Sequence, residues 1–228
     1  DEITEEKRNE ILAKAQEILS FSEEQIRQFQ ELDAVYHDWN AKINVISRKD
    51  IDNVWEHHIL HSLGIALYLA AERPSVFERW RSGDVRVLDV GCGGGFPGIP
   101  LAAVFPKASF TLCDSIGKKV RVASEVASAL GLDNVRCVHS RVEDLDGQWD
   151  FIVSRAVTSL DNFLSFTAGR YKENILYLKG GDLGDELAAC RARLGKKMPE
   201  VSQWKLSNVF DDGYYSEKLV VNLGNSKI

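Results

Sequence analysis

Asp89 and the glycines at 91, 93 and 95 are the residues whose types and spacing point most directly to chemistry. Val85 to Val90 is a short run rich in β-branched residues, which is how a buried parallel strand reads. The glycines follow at once and let the backbone turn sharply and approach a ligand with no Cβ in the way. Pro97 then has the fixed φ that suits the first turn of a helix. A dinucleotide fingerprint would read G-x-G-x-x-G, with a pyrophosphate on the helix N-terminus. Here the third glycine comes one residue early, and a carboxylate stands just before the turn. Asp89 is ill placed beside a pyrophosphate but suits a ligand carrying an ammonium or sulfonium group. A glycine-rich loop with no ligand is the plainer alternative.

In an open parallel sheet, ligands lie beyond the carboxyl ends of the strands. That rule gathers Asp89 to Phe96 after the first strand, Asp114 and Ser115 after the second, His139 to Glu143 after the third, Ser154 and Arg155 after the fourth, and Lys179 and Gly180 after the fifth. A carboxylate at Asp114 can accept both hydroxyls of a ribose, as the acidic residue about 20 positions past the glycines does in nucleotide folds. Its alternative role is to cap the helix beginning near Ile116. The 141–144 loop can face an adenine ring. Arg155 is unusual, since a guanidinium at the end of a buried strand must find a partner. Candidates are a cofactor carboxylate, a substrate phosphate, or Asp89 or Glu143.

The elements that must hold these groups follow from hydrophobic periodicity. Residues 4–38 read as two helices, the second opened by a Ser22–Gln25 capping box. Trp39 to Lys49 breaks the period. Asp50 can then cap a long helix running to about Ala71, ended by Arg73-Pro74, with Pro74 to Gly83 as a junction. From Val85 onward strands and helices alternate. Strands are expected at Val85–Val90, Ala108–Asp114, Val135–His139, Trp149–Ser154, Asn174–Leu178, Val201–Leu206 and Lys218–Leu223. Helices fall near 97–105, 116–131, 160–169 and 183–194. Repeated β-α units imply an α/β fold, a mostly parallel Rossmann-like sheet with helices on both faces. The last two strands form an antiparallel pair at one edge. The division expected is an N-terminal helical extension, 1–82, and a ligand-binding domain, 83–228, together one compact unit.

Composition excludes several classes. A 44% hydrophobic content with 27% charged residues is ordinary for a globular protein. No apolar run approaches the eighteen residues a membrane helix needs, and the charged start is unlike a secretory signal. The four cysteines, at 92, 113, 137 and 190, lack C-x-x-C spacing, which argues against a zinc ribbon or a disulfide framework and for a cytoplasmic protein. His57 and His61 lie one helical turn apart, but no H-E-x-x-H order accompanies them, so no metal site is expected. Net charge is −6, yet residues 1–38 alone carry −7 and the remainder +1. A nearly neutral domain with local basic clusters can bind RNA.

Five stretches then line up together: Trp39-Asn40-x-x-Ile43-Asn44, Glu56-His57-His58-Ile59-Leu60-His61-Ser62-Leu63, Asp89 to Leu101 with its Phe96-Pro97-Gly98-Ile99-Pro100-Leu101 extension, Ser154-Arg155-Ala156 and Leu178-Lys179-Gly180. Together they resemble the bacterial 16S ribosomal RNA guanine-N7 methyltransferases, also called the glucose-inhibited division protein B family. The resemblance implies a class I methyltransferase fold acting with S-adenosyl-L-methionine on one guanine of small-subunit rRNA. It implies cofactor contacts from Gly91, Phe96, Asp114, Val142, Glu143 and Arg155, to which the motif adds Asp89, Gly93 and Ser115. On the RNA side Asn44, His58 and Lys179 are expected, and the basic clusters Lys118, Lys119 and Arg121, and Lys42, Arg48 and Lys49, are expected on phosphates, their plainer role being a solvated surface. Arg155 is the expected positioning residue, and no general base is expected. Partners would be 16S rRNA or the small subunit, the state a monomer. Two departures stand out: His61 where the family usually has an acid, and Val45-Ile46 where it has Leu-Thr. Rival readings are a small-molecule methyltransferase, a nicotinamide dehydrogenase and a non-catalytic RNA-binding module.

Overall fold

A computed structural model of the chain describes residues 4–155, 158–211 and 213–224; Ala156 of the Ser-Arg-Ala stretch and Asp212 of the turn between the last two strands lie outside them. The seven strands form one sheet in the order β3-β2-β1-β4-β5-β7-β6. They are β1 (Arg86–Val90), β2 (Ser109–Asp114), β3 (Val135–His139), β4 (Trp149–Arg155), β5 (Tyr171–Gly180), β6 (Glu200–Lys205) and β7 (Lys218–Gly224). The first five pair in parallel, whereas β7 runs antiparallel between β5 and β6. The expected antiparallel pair is therefore present, with β7 inserted one place in from the edge that β6 forms.

Side chains alternate across a strand, and the two faces of the sheet are packed differently. Val87, Phe110, Phe151, Val153 and Leu176 lie in a core shared with α1 (Glu5–Leu19), α2 (Glu23–Lys42), α3 (His61–Glu72), α4 (Pro74–Ser82), α5 (Gly98–Val104) and α6 (Gly117–Ala129). Leu88, Ile152, Ile175 and Tyr177 face the opposite core, covered by α7 (Leu160–Thr167) and α8 (Gly184–Leu194). The N-terminal helices thus share one core with the α/β part: Gln25 donates to the Ala103 and Val104 carbonyls, and Gln28 to that of Leu130.

Three expectations are corrected. The Pro74–Gly83 junction is the helix α4, because a proline that stops one helix is also suited to the first position of the next, and Val76, Phe77 and Trp80 bury its inner face. The second helix continues past 38 to Lys42, where Asn40 organises the following loop: its Oδ1 accepts the Val45 and Ile46 N–H groups, and its Nδ2 donates to the Ile46 carbonyl. Finally, Asp50 makes no capping bond; its helix begins as a 3₁₀ turn at Ile51–Asn53 and widens to π geometry at Trp55–Leu60 before α3.

Candidate functional site

The glycine turn is held from both sides. The Gly91 and Cys92 N–H groups donate to the Cys113 carbonyl, and Tyr36 donates its hydroxyl to the Gly94 carbonyl at 3.0 Å. Gly95 has φ +126°, and a Cβ there would lie 2.5 Å from Ile99 Cγ1 and 2.7 Å from the Tyr36 hydroxyl, so no other residue fits. Beyond the turn, at the carboxyl ends of β1, β2 and β4, opens a cleft of about 640 Å³.

Most of the residues expected to hold a cofactor line this cleft: Gly91, Gly93, Asp114, Ser115, Val142, Glu143 and Arg155. Asp114 accepts the Gly93 N–H through Oδ2 and the Ile116 N–H through Oδ1, each at 2.9 Å. A carboxylate oxygen has more than one lone pair, so both oxygens keep acceptor capacity toward the cleft. Val142 is buried on a 3₁₀ turn and Glu143 beside it is exposed. Three large apolar side chains are exposed among the described residues, and two of them, Ile116 and Phe166, line this cleft. An apolar wall with a few convergent polar groups is the usual form of a small-molecule site.

Asp89 and Phe96 lie behind the turn instead. Asp89 is fully buried; its Oδ2 accepts the Gly98 N–H at 2.8 Å, and its Oδ1 has no partner. Burial pushes its carboxyl well above the usual range, against the lowering pull of Gly98 and Arg155. The ring of Phe96 is buried, stacked on Tyr36 at 4.6 Å. The Arg155 guanidinium lies over that ring, 5.3 Å from its centre, a favourable cation–π placement.

A second cleft, of about 310 Å³, adjoins the first. Gly91 and Arg155 line both. Its other walls bring together Asp50, His57, His58, His61, Tyr214 and Lys218. His57 Nδ1 lies 2.5 Å from one oxygen of Asp50 and stacks on Tyr214 at 4.1 Å, while His58 bonds the other oxygen through Nε2. Arg155 Nη1 donates to His58 Nδ1 at 2.5 Å. Burial, with Arg155 next, pulls His58 down to about 4; burial, then Arg155 and Lys218, pulls His61 down to about 3. Asp50, Tyr214 and Lys218 escaped the sequence reading. Asp50 read only as a helix cap, while Tyr214 and Lys218, on the turn before β7 and on β7 itself, reach the site from the far end of the chain.

The expected RNA contacts are dispersed. His58 alone lines the second cleft, and Lys119 lies at the rim of the first. Asn44, Arg48, Lys49, Lys118 and Arg121 are exposed. Lys42 pairs with Asp38 and lies over Trp39. Lys179 is paired with Glu186 at 3.0 Å and lines neither cleft. Among the described residues, no group of three or more His, Cys, Asp and Glu side chains is arranged to hold a metal ion, and no helix is long and apolar enough to cross a membrane.

Comparison with known proteins adds a family. Residues 25–209 match the model of the GidB family, described as rRNA small subunit methyltransferase G. The chain is 47% identical over 207 residues to a ribosomal RNA small subunit methyltransferase G of Flavobacterium johnsoniae, covering 87% of this chain and 90% of that one. It is likewise 47% identical over 211 residues to the protein of that name from Porphyromonas gingivalis, covering 89% and 88%. Among solved structures, magnesium protoporphyrin IX methyltransferase from Synechocystis with bound SAM superposes with a TM-score of 0.59 at 15% identity, covering 89% of this chain and 98% of that one. At that identity the likeness speaks for the fold, a class I methyltransferase architecture.

Proposed function

This chain belongs to the rRNA small subunit methyltransferase G family, and from that premise we propose that it methylates N7 of a guanine in 16S rRNA, using S-adenosyl-L-methionine. The observation that carries the reading is the seam between the clefts: Gly91 and Arg155 line both, so a donor in the larger and an acceptor in the smaller would meet there.

The residues of the larger cleft fit the cofactor. Asp114 offers its spare lone pairs to the ribose hydroxyls, Ile116 and Val142 offer apolar walls to the adenine, and Glu143 stands beside them. Asp89 and Phe96 serve the cofactor from behind, Asp89 by fixing the start of α5 and Phe96 as the platform under Arg155. When bound, S-adenosylmethionine supplies an electrophilic methyl group on a sulfonium sulfur. Guanine N7 has a free lone pair and no proton to lose, so the chain needs no general base. Its task is alignment, an effect worth up to roughly 7–11 kcal/mol in favourable cases. Arg155 performs it at the seam. Lys118 and Lys119, with Arg121 beside them, and Lys42, Arg48 and Lys49 reach toward phosphates from the surrounding surface.

Finer parts of the reading are a monomeric enzyme in the bacterial cytoplasm, in which residues 83–228 form the S-adenosylmethionine-binding domain and 1–82 a helical extension that lends Asp50, His57, His58 and His61 to the second cleft. Radiolabelled cofactor incubated with undermethylated 30S subunits, naked 16S rRNA and a metabolite extract tests it. Label should enter 16S rRNA at one guanine that becomes cleavable by reduction and aniline. Arg155→Ala should abolish incorporation without unfolding the chain. Label confined to small molecules would assign the chain a different substrate class.

A further inference from the structure

We propose that Asp50 and His58 are positioning residues for Arg155: the carboxylate fixes the imidazole in one tautomer, whose bare Nδ1 aims the guanidinium at the seam between the clefts. The proposal rests on the function just given, because it supposes that the seam is where reaction occurs.

The chemistry of the three groups leaves one arrangement. A guanidinium only donates, so His58 Nδ1, 2.5 Å from Arg155 Nη1, must present its lone pair. The proton of a neutral ring then sits on Nε2, and Nε2 is the atom that meets Asp50 Oδ2. Which ring nitrogen carries the proton is set by the bond the other makes, so the carboxylate acts on Arg155 through the ring. Asp50 Oδ1 is taken by His57, and the two hydrogen bonds hold the Asp50 carboxyl below the usual range despite its burial. Consecutive side chains on a helix diverge, so one carboxylate can serve both imidazoles only by sitting between them, as Asp50 does in the loop ahead of the helix.

A protonated His58 would turn an N–H toward the N–H groups of Arg155. The surroundings resist that state: burial, Arg155 from β4 and His57 from its own helix oppose it, with Asp50 opposing them. His61, Tyr214 and Lys218 complete the cleft around the ring, and Phe96 packs against it at 5.1 Å. A histidine partner also differs from a carboxylate in one useful way. It orients the guanidinium without pairing it directly with an anion, so its positive charge is offered to a ligand at the seam.

Nitrogen-15 NMR of the histidine rings, with steady-state methylation, tests the proposal. Wild-type His58 should be the Nε2–H tautomer between pH 6 and 8. Asp50→Asn, whose single carbonyl oxygen cannot accept from both His57 and His58, should populate the other tautomer and lower kcat by about 10–100-fold, the scale of an ångström's misplacement, and Asp50→Glu should restore both in part. His58→Phe, which keeps a ring against Phe96 but has no acceptor, should show the same loss of kcat. A wild-type Nδ1–H tautomer would overturn the proposal even if Asp50→Asn failed to fold. So would an Asp50→Asn protein with normal kcat, or one whose kcat falls while the tautomer is unchanged. If the wild-type enzyme methylates no rRNA, the function reading fails, and the ring nitrogens still decide whether Asp50 and His58 are arranged as proposed.

Discussion

Asp89 accepts the backbone N–H of Gly98 at 2.8 Å from beneath the glycine turn, so a strand end and the first turn of α5 are tied through a fully buried carboxyl. Its other oxygen has no partner, and burial raises its pKa well above 3.8. A raised pKa in the folded state means that folding favours the protonated form. The stability so contributed is complete below about 3.8 and is lost as pH rises from there through the folded value. Asp89→Asn keeps an acceptor for Gly98 and cannot ionise. It should be at least as stable as the wild type at pH 8 and relatively less so at pH 4. Asp89→Ala orphans the Gly98 N–H and leaves a void, costing about 1–3 kcal/mol. Urea denaturation of the three proteins at both pH values checks the pair.

Gly98 and Gly93 should fail in different ways. A Cβ at Gly98 would lie 2.7 Å from both Asp89 Oδ2 and Leu112 Cγ, whereas one at Gly93 would meet nothing within 4 Å. Gly98→Ala overpacks a closed core and should lower stability by about 1–3 kcal/mol. Gly93, at φ +56° on the cleft wall, would carry roughly 1–2 kcal/mol of left-handed backbone strain as Ala. Its methyl group would also intrude on the cofactor. Calorimetry with S-adenosylhomocysteine should show the larger loss of affinity in Gly93→Ala, and thermal melts the comparable or larger loss of stability in Gly98→Ala.

The histidines of the second cleft set an acid limit on the fold. His58 and His61 are held near 4 and 3, below the ordinary 6.5, by burial first and Arg155 next. Between those values and 6.5 the unfolded chain takes up protons that the folded chain refuses. Each ring therefore removes roughly 1 kcal/mol per pH unit as pH falls from about 6 to 4. His61→Leu should flatten part of that slope, since it removes a titrating group whose Nε2 is buried without a partner. Denaturant midpoints at pH 7, 6 and 5 measure it.

What the sequence disclosed and what it hid divide along the reach of the interactions. The strand from Val85 and the helix after Pro97 were legible because hydrophobic period and glycine placement are local. Asp114 and Val142, expected near a ligand, do line the first cleft, because a parallel sheet presents its strand ends together. Asp89 was legible as a carboxylate beside the turn, but not as one on the side of β1 that turns away from the cleft. The contact between Arg155 and His58 spans 97 residues and depends on a π-helical stretch that no local pattern announced. Lys218 entered the site only because β7 inserts beside β5, bringing it opposite Gly180.

Lys179 and Lys218 give the last contrast. They lie on neighbouring strands, but Lys179 is neutralised by Glu186, while Lys218 faces the second cleft over the Tyr214 ring with no carboxylate partner among the described residues. A lysine that meets a phosphate releases counterions, so its loss lowers the salt dependence of binding by about one unit of slope. Lys218→Ala should weaken binding of the small subunit or its rRNA in this way and raise KM for that substrate. Lys179→Ala should leave both nearly unchanged, since its charge is already spent on Glu186. Binding isotherms from 50 to 200 mM salt separate the two, and a reduced slope for Lys179→Ala with none for Lys218→Ala would move the RNA path to the other side of β5.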